Sequence, residues 1–273
     1  MSTKRKPPPS GPQTWDIDCQ LAYELERPTH FLFQIHAWHG VDQEVRAESL
    51  ELSKGAQSHV YLDPLSHHRF LRLMAPSGHL SLHYRATVQV APRNRNPDAA
   101  EVPVEQLPDE VMHHLMPTRY CESDLLARAA MHLFGKVPPG MHRVQAISDW
   151  IHENIDYEAG STDTATTACD VFWRRAGVCR DFAHLGVTFC RALNIPARLA
   201  VGYVRFETPP PDFHAVFEAY LDCGWVLFDP TRLAPVEQLV RIASGRDAKD
   251  VAFATIFGPA RMLTMSPQVE PAR

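Results

Sequence analysis

From Trp15 onward apolar residues fall at every second position. Ile17, Cys19, Leu21, Tyr23 and Leu25 alternate with polar neighbours, the period of a strand with one buried face. Pro28 and Thr29 interrupt the pattern, and Phe31, Phe33, Ile35 and Ala37 resume it. The runs 48–52, 60–62, 70–74 and 79–90 repeat the alternation, separated by turn signals such as Pro76-Ser77-Gly78. Short strands at this spacing predict a β-sandwich or small barrel over residues 14–110. Residues 1–13 are polar and proline-rich and read as a disordered tail. Residues 91–110 carry prolines and charges and read as a linker.

Beyond residue 110 the period lengthens. Ser123 is a good N-cap with Asp124 behind it, and Leu125, Leu126, Ala129, Ala130 and Leu133 fall on one helical face up to Pro138-Pro139-Gly140. Val144, Ile147, Ile151 and Ile155 predict a second helix over 141–154. A Thr- and Ser-rich loop spans 161–167, and a short helix over 170–176 ends at Gly177. After Cys179 the apolar positions Phe182, Leu185, Gly186, Phe189, Cys190 and Leu193 trace one face of a long helix that stops at Asn194 and Pro196. A strand follows over 197–206, with Leu199, Val201 and Tyr203 on one face and Gly202 on the other. Pro209-Pro210-Pro211 is a rigid turn. A strand over 214–221, a tight turn at Asp222-Cys223-Gly224 and a return strand over 225–228 complete a hairpin. The last residues, 263–273, read as a tail.

Composition narrows the class. The 273 residues include 23 prolines, which argues against a helical bundle. The net charge of −5, with no long basic run, argues against nucleic acid as a partner. No apolar run is long enough to span a membrane, and from the first residues no secretory leader is expected. The six cysteines show no C-x-x-C pair, so zinc-ribbon and thioredoxin chemistry lack support, and free thiols in a reducing cytoplasm are expected. The adjacent His67-His68 has no ligand partner at metal spacing and reads as surface or packing.

The candidate chemistry lies between Ala176 and Pro230. Cys179 sits at the first turn of the long helix, where unpaired N–H groups and the helix dipole favour a thiolate and its own N–H can meet an oxyanion. His214 opens one strand and Asp229 closes the next. A hairpin centred near Cys223 returns Asp229 to within about two residues of His214 across the ladder. That places a carboxylate to hold one imidazole nitrogen while the other faces a thiol. Read alone, Cys179 is a small buried hydrophobe and His214 a structural residue; the three together are a nucleophile, a base and an orienter. His184 is a packing residue of the same helix. Reading it with Cys179 as a ligand pair predicts metal in the purified protein.

Three separated segments resemble the transglutaminase-like superfamily of papain-type cysteine enzymes. They are Gly177-Val178-Cys179-Arg180-Asp181-Phe182-Ala183-His184, then Asn194-Ile195-Pro196-Ala197-Arg198 with Gly202-Tyr203, then His214-Ala215 with Gly224-Trp225 through Asp229-Pro230-Thr231. Pro117-Thr118-Arg119-Tyr120-Cys121-Glu122-Ser123-Asp124 and Gly245-Arg246-Asp247 resemble the bacterial members that carry a β-rich domain ahead of the core. The resemblance covers about residues 115–260. It implies an α+β fold: a nucleophile helix packed on an antiparallel sheet over 111–262, preceded by a β-sandwich-like domain. It also implies Cys179 as nucleophile, His214 as base and Asp229 as orienter in a cysteine-dependent acyl transfer on amide bonds of peptides or proteins, with no cofactor or metal. Hydrolysis as a cysteine peptidase or amidase is the expected outcome; transamidation, or a non-catalytic binding module on the same fold, are the alternatives. The family's His-Ala-Trp is here His214-Ala215-Val216, which is expected to alter a wall of the cleft. Trp150 and Trp173 are candidates for a side-chain oxyanion donor, or core.

Overall fold

The computed structural model describes residues 11–93, 95–205 and 212–272. Residues 1–10 of the tail expected over 1–13 and the Pro209-Pro210-Pro211 turn lie outside these described residues; the end of that stretch is not tail, since Gln13 already opens the first strand. The alternating N-terminal pattern becomes six strands: β1 (Gln13–Leu25), β2 (Thr29–Phe33), β3 (Gln43–Leu52), β4 (Gln57–Leu62), β5 (Arg69–Ala75) and β6 (Gly78–Val90). Along β1 every second residue from Trp15 to Leu25 is buried. Strand β2 buries Phe31 and Phe33 against this face, with the Tyr23 ring 5.2 Å from Phe31 and 6.0 Å from Phe33. Burying each of these rings is worth about 2–3 kcal/mol, so the alternation itself fixes which faces meet.

The core follows as α1 (Ser123–Phe134), α2 (Met141–Asn154), β7 (Asp156–Tyr157), α3 (Ala168–Arg174), β8 (Ala176–Gly177), α4 (Cys179–Ala192), β9 (Ala197–Tyr203), β10 (His214–Leu221), β11 (Gly224–Phe228) and β12 (Val240–Gly245). Its sheet has the antiparallel order β11-β10-β9-β12. Every residue of α4 from Asp181 to Arg191 is buried. One side of α4 lies on the sheet through Gly186, where an added Cβ would stand 2.5 Å from the Phe217 ring. The other side meets the remaining helices at Phe189, whose ring is 5.2 Å from Phe134, 5.6 Å from Trp150 and 5.9 Å from Phe172. The fold is α+β, a helix packed on an antiparallel sheet beside a β-sandwich.

Some expectations are corrected. The stretch 263–273 is no tail. The chain returns to the N-terminal sheets as β13 (Ala254–Phe257) on β2 and β14 (Ala260–Pro271) along the whole of β1. Pro267 and Pro271 fit within it because proline is tolerated on an edge strand, and β14 is an edge. Leu125, placed by its spacing on the apolar face of α1, is 68% exposed. The helix before Gly177 ends earlier, at Arg175, which takes the left-handed conformation (φ 60°) that glycine would favour. Gly202 does mark a close approach, since a Cβ there would meet the Val240 carbonyl oxygen. Among the described residues no helix is long and apolar enough to cross a membrane.

Candidate active site

Cys179 is the first residue of α4 and is half-buried. Val178, at the N-cap, has no side-chain acceptor. Asp181 supplies the missing contact from inside the helix: its Oδ2 accepts from the Val178 N–H at 3.0 Å. The same carboxylate oxygen accepts from the Thr162 hydroxyl at 2.5 Å. Arg180 donates to Asp181 Oδ1 at 2.8 Å and to the Asp163 carbonyl at 2.9 Å. The Thr- and Ser-rich loop is thereby tied to the first turn of α4, and the N–H groups beside the thiol keep one direction.

His214 begins β10 and pairs with Gly202 of β9. The β10–β11 ladder runs from Leu221↔Gly224 to Phe217↔Phe228. Asp229 therefore arrives one residue past the last rung and reaches back along the strand to His214. Its Oδ2 lies 2.9 Å from His214 Nε2. Its Oδ1 accepts from the Thr231 N–H at 2.9 Å and from the Thr231 hydroxyl at 2.6 Å. The carboxylate is satisfied on both oxygens with His214 and Asp229 both buried. With Nε2 committed to Asp229, the remaining ring nitrogen is the one available to the thiol, and Cys179 is a hydrogen-bonding neighbour of the ring. The thiol is also 3.9 Å from the Phe213 carbonyl oxygen.

The electrostatics follow from these contacts. Burial alone would depress His214, but its hydrogen bonds to Asp229 and Cys179 and their charges outweigh burial and raise it to about 10. Burial pushes Asp229 up, while the hydrogen bond and charge of His214 and the Thr231 donors leave it below the usual carboxylate range. Imidazolium and carboxylate are thus the favoured forms, and an imidazolium beside a thiol favours the thiolate.

Of the residues named from sequence, the structure brings Cys179, His214 and Asp229 into one constellation. His184 does not join it: fully buried, it stacks on Tyr120 at 5.3 Å, and its Nε2 accepts from the Ala248 N–H at 3.0 Å. Among the described residues no group of three His, Cys, Asp or Glu side chains could hold a metal ion. Trp150 sits in the aromatic cluster over Phe189, and Trp173 is exposed beside Phe172. Val216 lines no cleft; it is buried among Ala200, Val204, Leu227, Ala234 and Leu239.

The side chain beside the nucleophile that sequence reasoning missed is Tyr157. The parallel β7–β8 pair sets it opposite Gly177, its ring 5.9 Å from Phe182. Although the residue is 39% exposed, partial burial of the ring's inner side and nearby acidic groups push the hydroxyl up to about 12, against a contact with the Cys179 N–H that favours phenolate. It is a proton donor throughout the physiological range. A two-residue strand leaves no periodicity, so only a lone tyrosine ahead of a polar loop marked it. Thr231 was quoted within a motif without a role, and Asp181 carried half a capping-box signal.

The sequence pattern of the transglutaminase-like superfamily matches residues 128–230, and that of the bacterial transglutaminase N-terminal domain matches residues 14–110. A crystal structure from Cytophaga hutchinsonii, named a "putative cysteine protease", is 41% identical and superposes with a TM-score of 0.90 over 96% of this chain and 91% of that one. An uncharacterised protein of Mycobacterium leprae is 32% identical over 152 residues, 53% of this chain and 53% of its own. One from Mycobacterium tuberculosis is 28% identical over 127 residues, 41% of this chain and 40% of its own. The matched stretch thus spans about half or less of these curated relatives.

Proposed function

The chain belongs to the transglutaminase-like superfamily, and from that premise we propose that it is a cysteine-dependent acyl-transfer enzyme that hydrolyses amide bonds of peptides or proteins. The observation that carries this reading is the His214–Asp229 pair at 2.9 Å beside a thiol that opens the buried helix α4. The Cys179 thiolate attacks the substrate carbonyl carbon, and the carbonyl oxygen becomes an oxyanion facing the Cys179 N–H. Tyr157, protonated and aimed at the same place, supplies the side-chain donor. The tetrahedral intermediate collapses as His214 gives its proton to the leaving amine, leaving a thioester on Cys179. Neutral His214 then takes a proton from water, hydroxide attacks the thioester carbonyl, and the acid departs as the thiolate re-forms. Asp229 and Thr231 keep the ring oriented through both halves.

The relative named as a cysteine protease, similar over nearly all of both chains, supports hydrolysis over transamidation. The six unpaired cysteines favour a reducing compartment such as the cytoplasm. The test is release of amine from a library of peptide amides by wild type and by Cys179→Ala: loss of release in the variant is expected, and equal rates refute the reading. Incorporation of a labelled primary amine faster than hydrolysis would assign transamidation instead. If Cys179 is alkylated no faster at neutral pH than buried Cys190, the non-catalytic reading replaces both.

A further inference from the structure

Among the described residues each sheet of the sandwich ends in two edge strands, β3 and β14 in one and β4 and β13 in the other. An edge strand carries backbone N–H and C=O groups without partners, and proteins guard such edges with charges, prolines, bulges or short length. Three of these edges are guarded. Strand β3 carries Glu44, Arg46, Glu48 and Glu51, and its register is irregular between Val45 and Ala47. Strand β14 carries Arg261, Pro267, Glu270 and Pro271. Strand β13 has 4 residues and runs into Gly258-Pro259.

Strand β4, Gln57-Ser58-His59-Val60-Tyr61-Leu62, has none of these guards. It contains no Lys, Arg, Asp, Glu or Pro. Its ladder to β5 runs without a bulge from Gln57↔Met74 to Leu62↔Arg69, and among the described residues it pairs with no other strand. The edge is therefore straight, uncharged and open along all 6 residues, a length of about 20 Å.

Both faces of β4 are apolar as well. Val60 stands opposite the core residue Leu71, so the inner face of the sheet continues outward from Leu71 through Val60 and Leu62. The facing sheet leaves this continuation open: Val60 is 42% and Leu62 59% exposed. On the outer face Tyr61 stands opposite Phe70 with the rings stacked at 5.7 Å, and His59 lies 6.0 Å from Tyr61. A strand apolar on both faces has the pattern of a strand inside a sheet, yet β4 ends one. The β4–β5 loop brings Leu65, 91% exposed, to the end of the same edge.

We propose that β4 pairs antiparallel with β4 of a second copy of this chain, joining the two four-stranded sheets into one continuous sheet. The open backbone edge calls for a strand, and β4 itself is a strand that matches it. A twofold axis normal to the sheet keeps inner face with inner face when opposite residues share parity. Centred on Val60, it sets Val60 against the partner's Val60 on the inner face, with Ser58 against the partner's Leu62. On the outer face it sets His59 against the partner's Tyr61. The apolar inner stripe then runs from Leu71 of one copy to the partner's Leu71, and the ring contacts of the outer face repeat across the seam. Without a formally charged Lys, Arg, Asp or Glu, β4 meets its own copy with no like charges opposed. This pairing is independent of any reaction at Cys179.

The experiment is sedimentation velocity on the full chain from about 1 to 100 µM, the range over which a micromolar dimer dissociates. Wild type is expected to sediment as a dimer at the upper end. Val60→Lys and Val60→Glu each oppose like charges on the axis and are each expected to sediment as monomers. An equimolar mixture of the two is expected to regain the dimer, because the charges opposed are then unlike. Leu62→Lys, at a more exposed position, is the second variant should the Val60 substitutions disturb the fold, and is expected to weaken the dimer about tenfold or more. A wild type still monomeric at about 100 µM, a dimer unchanged by Val60→Lys and Leu62→Lys, a mixture no more dimeric than its components, or assemblies longer than a dimer overturns the proposal, since a twofold pairing closes at two copies.

Discussion

Replacing Asp229 by Asn changes one oxygen for an NH2 group, and the surroundings dictate which way the amide points. Two Thr231 donors converge on Oδ1, at 2.9 Å and 2.6 Å. The Asn oxygen must stay there, so its NH2 faces His214 Nε2, and that nitrogen has to accept. The ring proton moves to the other nitrogen, on the thiol side, and an imidazolium would set two donors against each other. The rise of His214 from 6.5 to about 10 is worth about 5 kcal/mol taken whole. The thiol contributes part of it, so the charged hydrogen bond to Asp229 accounts for ~2–3 kcal/mol. Losing that hydrogen bond should slow the reaction of the thiol at pH 7 about 30- to 100-fold. The assay is iodoacetamide alkylation of Cys179 followed by mass spectrometry from pH 5 to 10, with buried Cys190 as internal reference. Asp229→Asn is expected to react 30- to 100-fold more slowly at pH 7. The deficit should shrink as the pH rises toward 9.5, where the ring is no longer needed as a cation. An alkylation rate within threefold of wild type at pH 7 refutes the reasoning. A deficit undiminished at pH 9.5 refutes it as well, because it would signal lost access and not a lost ion pair.

Tyr157→Phe should lower kcat for amide hydrolysis by on the order of 10²-fold with KM little changed, the signature of a donor used only in the transition state; a change confined to KM would remove Tyr157 from the oxyanion site. Because His214 is raised in the folded protein, its contribution to stability is full below pH 6.5 and lost as pH rises through about 10; thermal melts of wild type and Asp229→Asn should converge across that window. Glu218→Gln should cost ~3–5 kcal/mol in urea unfolding, because it leaves the buried Arg241 and the half-buried Arg198 without their counterion; Glu218 is depressed to about 2 by Arg241 and Arg198 against burial, so its contribution persists above pH 4.5 and is lost as pH falls through about 2. Gly186→Ala should lower Tm by a few degrees, since the added methyl meets the Phe217 ring and the ~1–3 kcal/mol of overpacking exceeds the ~1 kcal/mol gained in helix propensity.

What could be read from the sequence and what could not divide along a physical line. A side chain's face within one element follows from periodicity, and so β1, α2 and α4 were legible to within a residue or two. The His214–Asp229 contact was legible for a related reason: a hairpin with a two-residue turn has a register that can be counted. Contacts between distant elements leave no period. The meeting of Cys179 with that hairpin depends on Gly186 letting Phe217 in under α4, which no local pattern encodes. The pairing of β14 with β1 spans nearly the whole chain. The expectation for Val216 failed in an instructive way. Strand alternation predicted its face correctly, but the cover over that face comes from Ala234 and Leu239, in a segment after β11 that alternation says nothing about. The same gap hid the ion pairs of Glu218 with Arg198 and Arg241 and of Asp42 with Arg93. Arg93, Arg198, Glu218 and Arg241 are scattered singly over nearly 150 residues, each indistinguishable from a surface charge. Only when two sheets and a linker close over them do they become buried groups that must answer to one another.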